Sequence, residues 1–422
     1  MLTRPTKWTD ALRIAVQRQV VALDESMGTQ EIQTFIPAAL RAQSFYSART
    51  PYVSYLTQTK GLVARLVRPS AEVASGDHTS PAQVRAAMKQ HLAALGYQPK
   101  AEDRGGLKDL SSDMRVNLII DTQVKMNRGY GNWRASQDED VLDLYPADEL
   151  YRAMARTLPR DWQVRWNEKR GQLASTSATE ATGRNGPFVA LKNDPIWTAI
   201  STFGNPYPPF DYRSGMRVRD VNRKRALELG VLKEGQRVEP VKDPLIRPMK
   251  MQIAPGAEPF ATALQTAYGS NATLQGDALY VIPDPKSVLR ELLYRANENS
   301  KATGAFSFLT PEQRAQAAEL TGTKAEGWTF GVDADHIRHI LQVHGGAEEK
   351  ARGQKLVSEN DIYKLPEILS QGVLREPKQH ELHKPGAKSL TVESGDWIVG
   401  LKWSTKSRRM QVATMYNKKA GS

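Results

Sequence analysis

Between Gln236 and Pro259 the chain reads QRVEPVKDPLIRPMKMQIAPGAEP, with five prolines and no apolar periodicity. Proline lacks a backbone N–H and fixes φ, so neither a helix interior nor a central strand runs through such a stretch. Residues 236–262 therefore read as an extended, semi-rigid linker. A chain of 422 residues is also longer than one hydrophobic core normally organises. The linker separates a long first part from a C-terminal block, 263–422.

The first part reads as mainly helical. WTDALRIAVQRQVVAL spaces Leu12, Ile14, Val16 and Val20 among polar residues. SPAQVRAAMKQHLAALGY has Ser80 to cap, Pro81 at the first helical position and Gly96 at the end. These place a helical N-terminal region over 1–100. A second region, 101–235, begins with one long helix carrying Met114, Val116, Leu118, Ile119, Val124 and Met126, which is expected to give way at Gly129 and Gly131. Trp162 and Trp166, four apart, share a helical face and read as packing residues. TSATEATGRNGPF (175–188) is a polar loop, and Arg217 to Leu232 reads as a basic strand followed by a helix.

The C-terminal block mixes helices and strands. Thr310 and Pro311 open one helix, and GDWIVGLKWST and RRMQVATMYNKK alternate like antiparallel strands. The expected fold class is α+β and multidomain: a mainly helical N-terminal and middle part, then a domain with helices packed on a small antiparallel sheet.

Composition narrows the function classes. Hydrophobic residues make up 40% and charged residues 25%, enough for a packed core. No apolar run approaches the roughly 20 residues that span a bilayer, so no membrane span is expected. The N-terminus shows no signal-peptide pattern, which points to synthesis in a cytoplasm. Zero cysteine removes disulfides and thiolate metal sites. A net charge of +12 favours a polyanionic partner.

Five of the seven histidines lie between His336 and His383. In ADHIRHILQVHGG, Asp333 and Gly345 bracket a helix over 334–344. Ile337, Ile340, Leu341 and His344 fall on one face, with His336 and His339 on a neighbouring one. Three readings arise. His336 and His339 at i, i+3 could hold zinc, yet no third ligand is fixed by spacing. The residues could be ordinary surface and packing histidines. His344, at a helix C-terminus where the dipole favours imidazolium, could move protons. His380 and His383, expected on a strand or hairpin, are held in reserve.

Two resemblances extend this reading. Around YPPFDYRSGMRVRDVNRKRALELGVL, with Pro208, Pro209 and the preceding DPIW, residues 100–235 resemble the phage Mu F-like head morphogenesis family of minor head proteins. The paired cysteines of that family have no counterpart here: Ser214 and Met216 stand near their positions, so no cysteine role carries over. Over 270–422, HILQVHG, then EEKARGQ, DIYKLPEIL and a last strand ending in TMYNKK resemble the phage nuclease domains of the barnase–EndoU–colicin–RelE superfamily. Together they imply a phage minor head protein, found in the virion near the portal and in the host cytoplasm. Its partners would be portal or other capsid proteins, phage DNA, RNA and an immunity protein. The C-terminal domain they imply has helices on a four- or five-stranded antiparallel sheet and cleaves RNA without a metal or other cofactor.

That chemistry needs a base, an acid and cations or hydroxyls around phosphate. His344 and His339 are the proton-transfer candidates. Lys402, Thr414 and Tyr416 are the other catalytic candidates, the last two sharing one face of the final strand. Arg352, Trp403, Arg408 and Arg409 are substrate-binding candidates. Residues 384–422 hold eight Lys and Arg against two acids, and Trp397, Trp403 and Tyr416 interleave with them as RNA-binding sheets often do. The rival expectations are a structural head, neck or portal-associated protein that binds nucleic acid without catalysis, and a metal-dependent enzyme.

Overall fold

The computed structural model describes residues 16–67, 79–155, 159–184, 186–241, 248–282, 284–297, 302–346, 355–381 and 388–418. The chain forms two units: residues 1–245 with 256–263, and residues 246–255 with 264–422.

In the first unit, strand β1 (Gln19–Val20) pairs in parallel with β2 (Ser44–Phe45). Helices α1 (Thr29–Phe35) and α2 (Ala38–Gln43) lie between them in sequence. Three longer helices follow: α3 (Val53–Val67), α4 (Pro81–Ala94) and α5 (Asp113–Ser136). The start of α4 is fixed by a reciprocal cap. Gln83 N–H donates to the Ser80 hydroxyl, and the Gln83 side-chain oxygen accepts from Ser80 N–H. Tyr55 and Leu62 of α3, Val84, Met88 and Leu92 of α4, and Val116 and Ile120 of α5 share one buried core. The expected boundary at residue 100 therefore falls inside a single packed body.

Helix α5 also runs straight through Gly129 and Gly131, where a break was expected. Gly129 serves close approach rather than a helix stop. A Cβ there would fall 1.8 Å from the Pro208 carbonyl oxygen. Next come α6 (Glu139–Leu144), β3 (Ala147–Arg152), α7 (Trp162–Leu173), β4 (Val189–Leu191), α8 (Ile196–Ala199), β5 (Met216–Val221) and α9 (Arg223–Glu228). The strands form an antiparallel sheet in the order β4-β3-β5. Trp162 and Trp166 are buried, and Trp166 sits edge-on to Trp197 with centroids 5.5 Å apart, as packing residues.

The expected linker is not structureless. β6 (Met249–Gln252) pairs with β8 (Ala278–Val281), and α10 (Glu258–Tyr268) occupies the end of this stretch, the division between units falling after Ala263. Pro255 and Pro259 bracket the start of α10, and Met249 and Met251 of β6 are buried. β7 (Ala272–Gln275) and β8 (Ala278–Val281) complete a small antiparallel sheet, β6-β8-β7.

The rest of the second unit comprises α11 (Pro285–Asn297), β9 (Thr303–Phe308), α12 (Pro311–Thr321), β10 (Thr329–Asp333), α13 (Ala334–Val343), α14 (Glu359–Tyr363), α15 (Leu365–Gln371), β11 (Val373–Arg375), β12 (Ser389–Ser394), β13 (Trp397–Ser404) and β14 (Arg409–Asn417). The sheet has six strands, in the order β11-β12-β13-β14-β10-β9. It is larger than expected and not wholly antiparallel, because β10 and β14 run parallel. The α+β class stands. Val288 and Leu292 of α11, Ile337 and Ile340 of α13, Ile362 of α14 and Leu369 of α15 cover one sheet face. They meet Phe330, Val332, Val392, Val399, Leu401, Met410 and Val412 there. Strand alternation puts the intervening residues, Thr391 and Lys402 among them, on the opposite face. No helix of the described residues is long and apolar enough to cross a membrane.

Candidate active site

Strand β14 changes its alternation in mid-course. Val412 pairs with Leu401, but Thr414 pairs with Gly400, leaving Ala413 as the extra residue of a β-bulge. Met410 and Val412 point into the core on one side of it, and Met415 does so on the other. Without the extra residue, a strand that buries Met410 and Val412 would bury Thr414 and expose Met415. The bulge brings Met415 into the core and turns Thr414 and Tyr416 to the other face.

β14 also outruns its neighbour. β10 pairs with it only as far as Val412, whereas β13 pairs to Asn417. Helix α13 leaves directly from the end of β10, anchored by buried Ile337 and Ile340. At its end the His344 N–H donates to Ile340 O, and the His344 carbonyl accepts from Val357 N–H, both at 2.9 Å. Gly345 follows the C-cap His344, as expected of the residue that closes the helix, and is also a point of close approach, where a Cβ would lie 2.4 Å from Leu341 O and 2.7 Å from Val357 O. The His344 ring so held reaches Thr414: Nε2 lies 2.9 Å from Oγ1. The Tyr416 ring sits beside it, centroids 5.6 Å apart and tilted by 33°.

Thr414 and Ala413 line an open cleft together with Gly400 and Lys402 of β13, Thr391 of β12, and Glu381. Lys402 is exposed and makes no ion pair among the described residues. On the far wall Arg375 grips Glu381 with two bonds of 2.8 Å, from Nη1 to Oε2 and from Nη2 to Oε1. Its Nε donates to Glu393 Oε2 at 2.8 Å. Lys378 N–H at 2.8 Å and the Thr391 hydroxyl at 3.2 Å also donate to Glu381. Burial would raise the Glu381 carboxyl, but Arg375 and the other donors outweigh it and hold it at about 2. Burial, and then Glu381, push the Tyr416 phenol above its ordinary value, so it keeps its proton at neutral pH.

The other candidates are placed as follows. His339 is exposed, its ring centroid 6.5 Å from that of His344. His336 turns away to Asp333, with Nδ1 3.2 Å from Oδ2. Burial raises the Asp333 carboxyl, but hydrogen bonds from His336 and Thr303 and the charge of Arg409 bring it below its ordinary value. Among the described residues no three His, Asp or Glu converge as a metal-binding group. His380 lies exposed in the 3-10 turn Gln379–Glu381, not on the strand or hairpin expected there. Arg352 and His383 lie outside the described residues.

Trp403 is not in the cleft. It follows Lys402 directly, so it points to the core side, tilted against Trp328 at 6.0 Å and covered by Lys388 Nζ at 4.9 Å. Trp397 also packs against the core, which leaves Tyr416 as the one interleaved aromatic beside His344. Arg408 is in the hairpin turn before β14, with φ +48°. Arg409 begins β14, roughly 17 Å along the strand from Thr414, and its Nη1 donates to Thr303 Oγ1 at 2.8 Å. These two arginines stand apart from His344. Arg375, Glu381, Thr391 and Gly400 were not singled out by sequence. Only Glu381 left a trace, lying between the reserved His380 and His383.

No known family, curated protein or solved structure matches the chain.

Proposed function

We propose that the chain is a phage minor head protein whose second unit is a metal-independent ribonuclease-like effector. One observation carries the enzymatic half: the His344 imidazole lies beside Tyr416 and at hydrogen-bond distance from Thr414, which in turn lines a cleft together with Lys402. In this reading His344 removes the proton of a ribose 2′-hydroxyl. The oxygen attacks the adjacent phosphorus, and the 5′-oxygen leaves with a proton from His339. The products are a 2′,3′-cyclic phosphate and a 5′-hydroxyl. Lys402 and the Thr414 hydroxyl stabilise the charge that builds on the phosphoryl oxygens.

The head-protein half is supported by the sequence pattern over 194–232 and by the basic balance of the chain. It assigns the first unit to portal or other capsid proteins and phage DNA, the second to RNA and an immunity protein. The protein would act in the virion and, after delivery, in the host cytoplasm. The deciding experiment is incubation of the full chain with RNA in EDTA. Cleavage that His344→Ala abolishes, with folding retained, supports the enzyme. A folded wild-type chain that binds RNA and leaves it intact supports a structural nucleic-acid-binding protein. One observation favours this second reading: Arg375 is taken up by Glu381 and Glu393, so among the described residues lining the cleft Lys402 is the one cation. Loss of cleavage on chelation would point to a metal-dependent enzyme.

A further inference from the structure

Gly400 is opposite Thr414, at the position where β14 carries its bulge. A Cβ on Gly400 would lie 2.8 Å from Thr414 Cγ2, closer than two carbon atoms tolerate. The contact has little room to relax. Thr414 is buried, with 5% exposed, and a β-branched side chain is stiff about χ1. Its methyl and hydroxyl share one carbon, so rotating Cγ2 away from a Gly400 side chain swings Oγ1 away from His344 Nε2.

We propose that Gly400, with the bulge at Ala413, is the positioning element of the site, setting the rotamer in which Thr414 presents its hydroxyl to His344. The bulge turns Thr414 onto the cleft face, and the missing side chain at 400 leaves space for its methyl. Glycine inside a strand otherwise weakens it, and the φ of Gly400 is not in the left-handed region that favours glycine. Space is thus the demand met here. The inference rests on the ribonuclease reading for its consequence in catalysis, and on geometry alone for the His344–Thr414 contact.

The test is a rescue in the full chain. Gly400→Ala collides with Cγ2; Thr414→Ser keeps the hydroxyl and removes Cγ2; the double variant has no collision. Expected is a fall in kcat of between about tenfold and a hundredfold for Gly400→Ala, the scale of a small misplacement of a reacting group, with KM nearly unchanged. The double variant returns to the level of Thr414→Ser. In parallel, NMR titration of the His344 imidazole shifts in Gly400→Ala and in Thr414→Val, and reverts in the double variant. Wild-type kcat and titration in Gly400→Ala, a folded double variant without recovery, or a Thr414→Val titration equal to wild type overturns the inference. If the wild-type chain cleaves no RNA, the ribonuclease reading fails and the titration alone decides whether Gly400 sets the contact.

Discussion

Replacing Arg375 by Met tests what holds the cleft wall. Glu381 is nearly buried, its side chain 6% exposed, and Arg375 supplies two of its hydrogen bonds. Holding a carboxyl at about 2 rather than its ordinary 4.5 is worth about 3 kcal/mol at 1.36 kcal/mol per pH unit. Breaking a buried ion pair from one side costs a similar amount. The sign follows from the direction of the change. A folded-state pKa below the unfolded value gives stability that is complete above about 4.5 and disappears as pH falls through about 2. At pH 7 Arg375→Met should therefore destabilise the second unit by about 3 kcal/mol, and the gap to wild type should close between pH 5 and pH 2. Urea unfolding of the full chain, followed by hydrogen exchange of β11 and β12 amides, reads this unit separately from the first. A gap that stays constant down to pH 2 would refute the linkage and leave only lost packing of the arginine stem.

Two glycines in helices should behave oppositely. Gly129→Ala drives a methyl into the Pro208 carbonyl and should cost at least about 2 kcal/mol in unfolding of the first unit, while Gly171→Ala, with open space around it, should gain up to about 1 kcal/mol. Asp148 is pushed up to about 6 by burial, which outweighs Lys192 Nζ at 3.7 Å. A raised carboxyl gives stability that is lost as pH rises through its folded value, so the first unit should lose stability from about pH 4 to pH 7, and Asp148→Asn should flatten that slope in denaturation curves. Lys402→Met should reduce the salt dependence of RNA binding by about one counterion in anisotropy titrations; an unchanged slope would remove Lys402 from the phosphate contact.

Local sequence chemistry determined a good part of this molecule. Ser80, Gln83 and Pro81 start α4 because a cap needs only residues three apart, and Thr310, Pro311 and Gln313 start α12 in the same way. Ile337 and Ile340 mark the buried side of α13 because helical periodicity is a short-range property, and the same spacing carries His344 to the end of that helix. The tertiary structure alone decided the rest. Whether Gly129 ends a helix or admits Pro208 depends on a residue 79 positions away. Trp403 and Lys402 are adjacent in sequence, yet strand pairing sends one to the core and the other to the cleft. Five prolines suggested an extended, semi-rigid linker, but a partner strand at β8 gave Met249 and Met251 something to pair with and bury against. The Ala413 bulge, which faces Thr414 toward His344, exists because Met410, Val412 and Met415 must all enter one core. That is a demand of packing across the sheet, and no window of sequence around β14 contains its other half.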